Sequence, residues 1–286
     1  MEAVSATNKI LVILSEFGYW GEELIGPMEV LEGAGYDLDY ATPHGRKPPA
    51  ITVSMDPGYI DPPLGRPVTS SIMAEKVRSI DSGGVLDEPI NIEELLPERP
   101  YRSESNWLRA YEQYTSEVDE TVKRLTHEYD ALLLVGGSGP IIDVVNNYRI
   151  HEIILGFVSA NVPVAAECYG VAALAFARDP LERRSIIEGK HVTGHCIEYD
   201  YQDGTGFMGT DFVMGPPPYP LEYILRDATG PNGGYHGRFG HVTSVIVDYP
   251  FITGRSTPDS YLTGQKLVEV LRTGLRQWGF MGVQSA

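Results

Sequence analysis

The sequence predicts an α/β fold whose central sheet is mostly parallel. Three short apolar segments, at 9–14, 129–135 and 162–167, have the continuous hydrophobicity of strands that are covered on both faces. A helical pattern at 21–34 separates the first of them from a further strand at 37–41. Strands that alternate with helices in this way form a parallel sheet with helices packed on its faces.

The first helical segment is amphipathic but contains a proline. Leu24, Met28 and Leu31 share one face, which predicts packing against the sheet. Pro27 lies inside the pattern, and a proline cannot donate its backbone N–H to the preceding turn. We therefore expect the first turn to be separate from the rest of the helix or kinked against it.

The sequence pattern changes after the second strand. Prolines and glycines crowd residues 43–67, and helical patterns follow at 71–80, 92–96 and 106–127. We interpret the chain as a single domain, 1–286, with a helical insertion at about 42–127. An insertion after the second strand leaves the sheet at the carboxyl edge, where open α/β sheets bind ligands. We therefore expect it to form part of a substrate cavity.

The amino-acid composition disfavours several classes of binding partner. The chain has 39 acidic and 22 basic residues and a formal charge of −17, which disfavours nucleic acid and anionic membranes. No apolar stretch approaches the ~20 residues needed to cross a bilayer, and the N-terminus lacks a signal-peptide pattern. The two cysteines, Cys168 and Cys196, imply no disulfide framework. We expect a cytoplasmic protein that acts on a small-molecule substrate.

One cysteine lies at a strand-to-helix corner. Cys168 follows the strand at 162–167, and a small-residue helix begins near Gly170. Such a corner holds a thiol in a tight turn beside the positive end of a helix, where the thiolate is stabilised and the pKa falls. It is the cysteine version of a nucleophile elbow. The alternative, an ordinary buried cysteine, stays open at this point.

A glycine-rich loop, Gly136–Gly139, follows the third strand. It lacks the Lys-Ser/Thr pair of a phosphate-binding P-loop and the spacing of a dinucleotide site. Such a loop can instead present backbone N–H groups to a developing oxyanion. The sequence predicts no cofactor and no metal.

Three segments, 129–143, 163–170 and 251–260, resemble the DJ-1/PfpI (ThiJ/PfpI) superfamily and within it the Hsp31-like branch. The resemblance covers both ends of the chain and only loosely the insertion. It implies a flavodoxin-like sandwich, a homodimer and no cofactor. It also implies that Cys168 is the nucleophile and that Glu23, four residues before Pro27, is a carboxyl beside the sulfur.

The same resemblance implies that backbone N–H groups of Gly137 and Tyr169 form the oxyanion site. Many Hsp31-like proteins have a histidine directly after the cysteine, where this chain has Tyr169. An imidazole base would therefore come from elsewhere, and His195, His236 and His241 are the candidates. Each of the three also fits a purely structural role.

Glu167 is a carboxyl in a core strand. Side chains alternate along a strand, so Glu167 is expected to point away from the face of Cys168. A buried carboxyl is costly unless it has hydrogen-bond partners. It is either a structural hydrogen-bonding group or a second acid of the site. Cys196 has no motif around it and is expected to be inert.

Three classes of function remain. The first is a cofactor-independent cysteine enzyme acting on a small electrophilic carbon: a glyoxalase III-like enzyme, or a hydratase or hydrolase of a C=O, C≡N or isonitrile group. There, the Cys168 thiolate attacks and Glu23 moves the proton, with no histidine required. The second is a stress chaperone or redox-sensing protein. The third is a cysteine amidase or peptidase, disfavoured because no base stands beside the cysteine. The first class is preferred.

Overall fold

The computed structural model describes residues 7–61, 64–103, 105–201, 220–237 and 243–274. The strands are β1 Lys9–Ile13, β2 Asp37–Thr42, β3 Ile60–Asp61, β4 Arg66–Pro67, β5 Ile90–Asn91, β6 Ala131–Leu134, β7 Val164–Glu167, β8 His191–Val192, β9 Gly234–Tyr235, β10 Val245–Asp248 and β11 Phe251–Gly254. The helices are α1 Gly21–Gly33, α2 Ser71–Ser82, α3 Ile92–Leu95, α4 Trp107–Glu128, α5 Pro140–Asp143, α6 Tyr148–Ser159, α7 Ala172–Phe176, α8 Ile197–Tyr201, α9 Leu221–Thr229 and α10 Ser260–Thr273.

The main sheet has the strand order β10-β11-β7-β6-β1-β2-β5. Its neighbouring strands are parallel except β10 and β11, which form an antiparallel hairpin at one edge. The prediction of a mostly parallel α/β sheet is therefore confirmed. β6 and β7 lie in the middle of the sheet, and every residue of both is buried. This explains their continuous apolar sequences.

Helices cover both faces of the sheet and enclose two apolar cores. α1 and α10 pack together on one face, with Leu24, Leu31 and Leu267 among the fully buried residues. On the other face α6 packs against α4, and α7 packs against α9. The two layers position the carboxyl ends of β7 and β11 side by side.

Pro27 does not divide the first helix. α1 runs without interruption from Gly21 to Gly33, so the expectation that its first turn is a separate element is wrong. The reason is packing. α10 lies so close that a Cβ added at Gly264 would come within 2.9 Å of Pro27 Cα. Contacts with α10 hold the turn that lacks one backbone hydrogen bond, and this continuity keeps Glu23 in place.

One part of the segment after β2 belongs to the sandwich, and another part contacts the region where α1 begins. β5 pairs with β2 and extends the sheet, and α4 packs on α6, so both belong to the sandwich itself. The sequence did not predict β5, because a two-residue strand has no periodicity to detect. Residues nearer β2 instead contact the loop before α1. Gly21 N donates to Ser54 Oγ at 3.0 Å, and Tyr19 N donates to Pro49 O at 3.1 Å.

Two short strands, β8 and β9, pair in parallel in a small separate sheet. β8 leads directly into residues 193–196, which lie at the same edge as the end of β7. No helix among the described ranges combines the length and apolarity needed to span a membrane.

Candidate active site

Cys168 occupies a strained corner at the end of β7. Its φ angle is 51°, in the left-handed region that residues other than glycine rarely adopt. A single turn of 3-10 helix, Cys168–Val171, follows and leads into α7. Backbone strain of this kind is kept where the surrounding structure enforces it, and it concentrates at functional sites. The side chain is 5% exposed.

The glycine-rich loop after β6 approaches this corner closely. A Cβ added at Gly136 would lie 2.5 Å from Cys168 Cβ and closer still to Glu23 Oε2. Only glycine therefore allows the carboxyl and the thiol to meet at this point. The next residue, Gly137, has a φ angle of 97°, and its N–H contacts both Glu23 and Cys168.

The Glu23 carboxyl is buried at the start of α1. It contacts the Cys168 thiol and the Gly137 N–H, and its Oε1 is 3.5 Å from Thr257 Oγ1. Burial raises the pKa of Glu23 to about 8, and the contacts with Cys168 and Gly137 only partly oppose that rise. At pH 7 this carboxyl therefore carries its proton and can donate it.

The thiol does not have the low pKa that the sequence predicts. Burial raises the pKa of Cys168 well above its ordinary value, and Glu23 adds to the rise when its carboxyl is ionised. The backbone N–H groups of Gly137 and Tyr169 lower it by a smaller amount. The cause of the correction is desolvation, which outweighs the two N–H groups. Desolvation thus favours the protonated thiol, and a base that takes its proton would assist the attack.

A histidine lies where such a base is needed. His195 Nδ1 is 3.4 Å from Cys168 Sγ. The His195 ring stacks on Tyr169, with 4.2 Å between ring centroids, and also contacts Tyr199 at 5.1 Å. Tyr169 thus packs against the histidine that lies beside the sulfur. The expectation that no histidine is required rested on the absence of an imidazole next to Cys168 in the sequence, and His195 now lies beside its sulfur.

His236, the second candidate, contacts another histidine instead. The His236 ring is paired with His191, whose Nδ1 lies 2.7 Å from His236 Nε2. That pair belongs to the small β8–β9 sheet. His241 lies outside the described residues.

Glu167 points to the other side of β7, as strand alternation predicts. It is fully buried, and a Cβ added at Gly254 would lie 2.6 Å from its Oε1. Burial, followed by the charge of Glu23, raises the pKa of Glu167 well above its ordinary value. The neighbouring hydroxyls of Ser260 and Thr263 donate to backbone carbonyls at 2.9 and 3.1 Å, so they can accept a hydrogen bond from a protonated carboxyl. This geometry favours the structural role over a second acid.

Thr257, Tyr199 and Arg255 complete the surroundings and were not singled out from the sequence. Arg255 and Thr257 lie within the motif at 251–260, directly after β11. A residue that follows a strand next to the elbow strand reaches the same edge, and this topological signal could have identified both. Tyr199 carried no such signal, because its position depends on how residues 193–201 leave β8.

The chain belongs to the ThiJ/PfpI-like family, whose model matches residues 14–193. No match is found among curated protein sequences. The fold is similar to that of Rapid Encystment Protein 24 kDa from Francisella tularensis, at 21% identity and a TM-score of 0.64, covering 92% of this chain and 98% of that one.

Two further solved structures share the fold. Glyoxalase III from Candida albicans is 17% identical with a TM-score of 0.61, covering 92% of this chain and 97% of that one. A ThiJ/PfpI domain protein from Brachyspira murdochii is 16% identical with a TM-score of 0.55, covering 94% and 99%. At these identities the likeness concerns the fold alone.

Proposed function

We propose that the protein is a cofactor-independent, cysteine-dependent enzyme that acts on a small electrophilic carbonyl carbon. The observation that carries the proposal is the surroundings of one sulfur atom. Cys168 Sγ has a proton acceptor, His195 Nδ1, at 3.4 Å and contacts the protonated carboxyl of Glu23. Two backbone N–H groups, from Gly137 and Tyr169, contact the same sulfur. A nucleophile, a base, an acid and oxyanion donors thus meet at one point.

The first candidate reaction converts a 2-oxoaldehyde and water into a 2-hydroxy acid. His195 accepts the proton of the Cys168 thiol, and the sulfur attacks the aldehyde carbon to form a C–S bond. The carbonyl oxygen becomes an alkoxide that the N–H groups hold and that Glu23 protonates. The product of this step is a hemithioacetal, and Glu23 is left as a carboxylate.

The second half of the reaction moves two protons and adds one water. The Glu23 carboxylate removes the proton from the former aldehyde carbon and returns it to the neighbouring carbon, while the hydroxyl proton of the hemithioacetal moves to the neighbouring oxygen, which leaves a thioester on Cys168. Water then gives one proton to the Glu23 carboxylate and attacks the thioester, and the C–S bond breaks. The 2-hydroxy acid leaves, and the Cys168 thiolate regains its proton from His195. Glu23, with a pKa raised to about 8, suits both directions of this transfer near neutral pH.

The fold comparison supports this choice without establishing it. A glyoxalase III shares the fold over most of both chains. The activity in that protein's name is a proposal for this chain and rests here on the local geometry of Cys168.

His195 also favours a second candidate, hydrolysis of an acyl or amide bond. The sequence disfavoured a cysteine amidase or peptidase because no base was evident beside the cysteine. His195 supplies such a base, and the same N–H groups would hold the oxyanion of a tetrahedral intermediate. The two candidates differ in what leaves: a 2-hydroxy acid in the first, an amine or alcohol in the second.

The test follows product and adduct together. The protein is incubated with methylglyoxal or phenylglyoxal, and in parallel with a panel of small amides and esters. Formation of a 2-hydroxy acid is followed by NMR, and adducts on Cys168 by mass spectrometry. We expect the 2-hydroxy acid and an acyl adduct on Cys168, and neither in Cys168→Ala. Turnover of amides or esters alone would favour the second candidate, and turnover of nothing would favour a chaperone or redox-sensing role.

A further inference from the structure

Arg255 is a fully buried cation with unused hydrogen-bond donors. Its Nε lies 3.5 Å from Asp259 Oδ2 and 3.4 Å from Ser256 Oγ. Its two terminal nitrogens, Nη1 and Nη2, are buried and have no acceptor among the residues that the structure describes. Leaving a buried charged group without acceptors is costly. The arrangement indicates that an acceptor arrives with a ligand.

Topology places this side chain beside the nucleophile. β11 and β7 are paired in parallel, with Gly254 opposite Glu167, so the residues that directly follow, Arg255 and Cys168, leave the two neighbouring strands at the same edge of the sheet. Gly254 and Glu167 face α10. By strand alternation Arg255 and Cys168 face the other way.

The contacts of the guanidinium agree with this placement. Its positive charge lowers the pKa of Tyr199 and of Cys196, although burial raises both by more. Tyr199 in turn contacts His195, the ring that lies against the Cys168 sulfur. Arg255 therefore lies in the same side-chain cluster as the reacting atoms.

The nearby carboxylates already have partners. Asp259 accepts hydrogen bonds from Ser244 N at 2.6 Å and Ser256 N at 3.1 Å, besides its contact with Arg255 Nε. Glu222 binds Arg226 at 2.7 Å. Glu198 contacts the thiol of Cys196. Among the residues that the structure describes, these contacts leave Nη1 and Nη2 of the guanidinium without an acceptor.

We propose that Arg255 binds a carboxylate of the substrate through Nη1 and Nη2. A guanidinium holds a carboxylate with two parallel hydrogen bonds, which matches the pair of unused nitrogens. The assignment rests on the proposed function and narrows it. The substrate is a small carbonyl compound with a carboxylate within a few bonds of the electrophilic carbon that Cys168 attacks.

The test uses two alkylating reagents that differ only in charge. Iodoacetate and iodoacetamide both transfer a two-carbon group to sulfur with loss of iodide, but only iodoacetate carries a carboxylate. Rate constants at Cys168 are measured at pH 7 by mass spectrometry, and their ratio is divided by the ratio for free cysteine. Because a bidentate charged hydrogen bond is worth roughly 10- to 100-fold, we expect an iodoacetate preference of about tenfold or more.

Three variants of the full chain complete the test. Arg255→Gln should bring the ratio back to that of free cysteine. Arg255→Lys keeps the charge without the fork and should fall between the two. If circular dichroism shows that Arg255→Gln does not fold, the ratio measured for Arg255→Lys tests the proposal instead. Arg226→Gln is the matched control, because Arg226 is also an arginine near the site, 5.2 Å from the ring of Tyr235, but its guanidinium is already paired with Glu222. This variant should leave the ratio of the two rate constants unchanged.

The proposal fails if the wild-type ratio equals that of free cysteine. It also fails if both Arg255 variants keep the full iodoacetate preference, or if Arg226→Gln removes it. These outcomes leave Cys168 reactive and the proposed function intact. A native Cys168 that resists both reagents contradicts the proposed function itself, and with it the substrate assignment.

Discussion

The two cysteines of this chain are both buried, yet their surroundings differ. Cys168 is 5% exposed and Cys196 is 1% exposed, and burial raises the pKa of both thiols. Cys168 has a left-handed backbone, two N–H contacts, a protonated carboxyl and an imidazole at 3.4 Å. The contacts of Cys196 are those of a packed thiol beside Glu198. Neither burial nor a shifted pKa therefore distinguishes the proposed nucleophile from the other thiol. The groups that can exchange a proton with its sulfur distinguish it.

Replacing each cysteine by alanine should give the largest difference in activity between two variants. Cys168→Ala removes the atom that forms the C–S bond, so turnover of the 2-oxoaldehyde should be lost entirely. Cys196→Ala should retain wild-type turnover within about threefold and lose stability of the order expected for a small core change. Steady-state kinetics and thermal unfolding measure both. Equal losses of activity in the two variants would remove the distinction between the thiols.

Two buried carboxyls, Glu23 and Glu167, allow a second comparison between a proposed catalytic group and a structural one. Glu23→Gln keeps the shape and a hydrogen-bond donor but cannot pass a proton, so kcat should fall by ~10²–10⁴-fold. Glu167→Gln replaces a protonated carboxyl by an amide that can make the same donation to Ser260 or Thr263, so kcat should change by less than about threefold. A larger loss in Glu167→Gln than in Glu23→Gln would reverse the two roles.

The histidines give the next largest effect. His195→Ala removes the acceptor of the thiol proton, and kcat should fall by about 10²-fold, at the lower end of general-base effects because Glu23 and water can accept the proton slowly. His236→Ala breaks only the pair with His191 and should leave kcat nearly unchanged. A silent His195→Ala would return the reaction to the histidine-free scheme.

The smallest effect for each step of the measurement is the change in unfolding free energy per pH unit. The pKa of Glu23 is raised in the folded protein to about 8, from an ordinary value near 4.5. The folded state therefore holds this proton more tightly than the unfolded state, and its contribution is complete below pH 4.5 and lost as the pH rises towards 8. The unfolding free energy of wild type should decline relative to Glu23→Gln by at most about 1.4 kcal/mol per pH unit in that interval. Urea unfolding at several pH values measures the difference, and parallel curves would contradict the raised pKa.

Much of the fold was accessible from the sequence because parallel core strands have a strong signature. Lys9–Ile13, Ala131–Leu134 and Val164–Glu167 are short apolar runs between turns, and each is a central strand. The edge strand Ile90–Asn91 was missed because two residues carry no periodicity. The interpretation of Pro27 was wrong because packing against α10 outweighs one absent hydrogen bond, and packing cannot be deduced from local sequence.

The candidate site was predictable where residues are adjacent in the chain. Cys168, Tyr169 and Gly137 follow strands that end at one edge, so their meeting follows from topology. His195 could not be chosen over His236, because the path of the chain after β8 decides which ring reaches the sulfur. The thiol pKa was predicted in the wrong direction because the sequence indicates the helix and N–H groups but not the degree of desolvation.

The most direct test compares the two thiols in one experiment. The native protein is treated with iodoacetamide at pH 7, and the modification of Cys168 and Cys196 is followed by mass spectrometry, with His195→Ala in parallel. We predict that Cys168 reacts at least ~10²-fold faster than Cys196 and that this advantage shrinks in His195→Ala, because the imidazole beside Cys168 takes its proton, whereas Cys196 lies beside the carboxyl of Glu198. Equal rates at the two cysteines, or faster modification of Cys196, would contradict the assignment of Cys168 as the nucleophile.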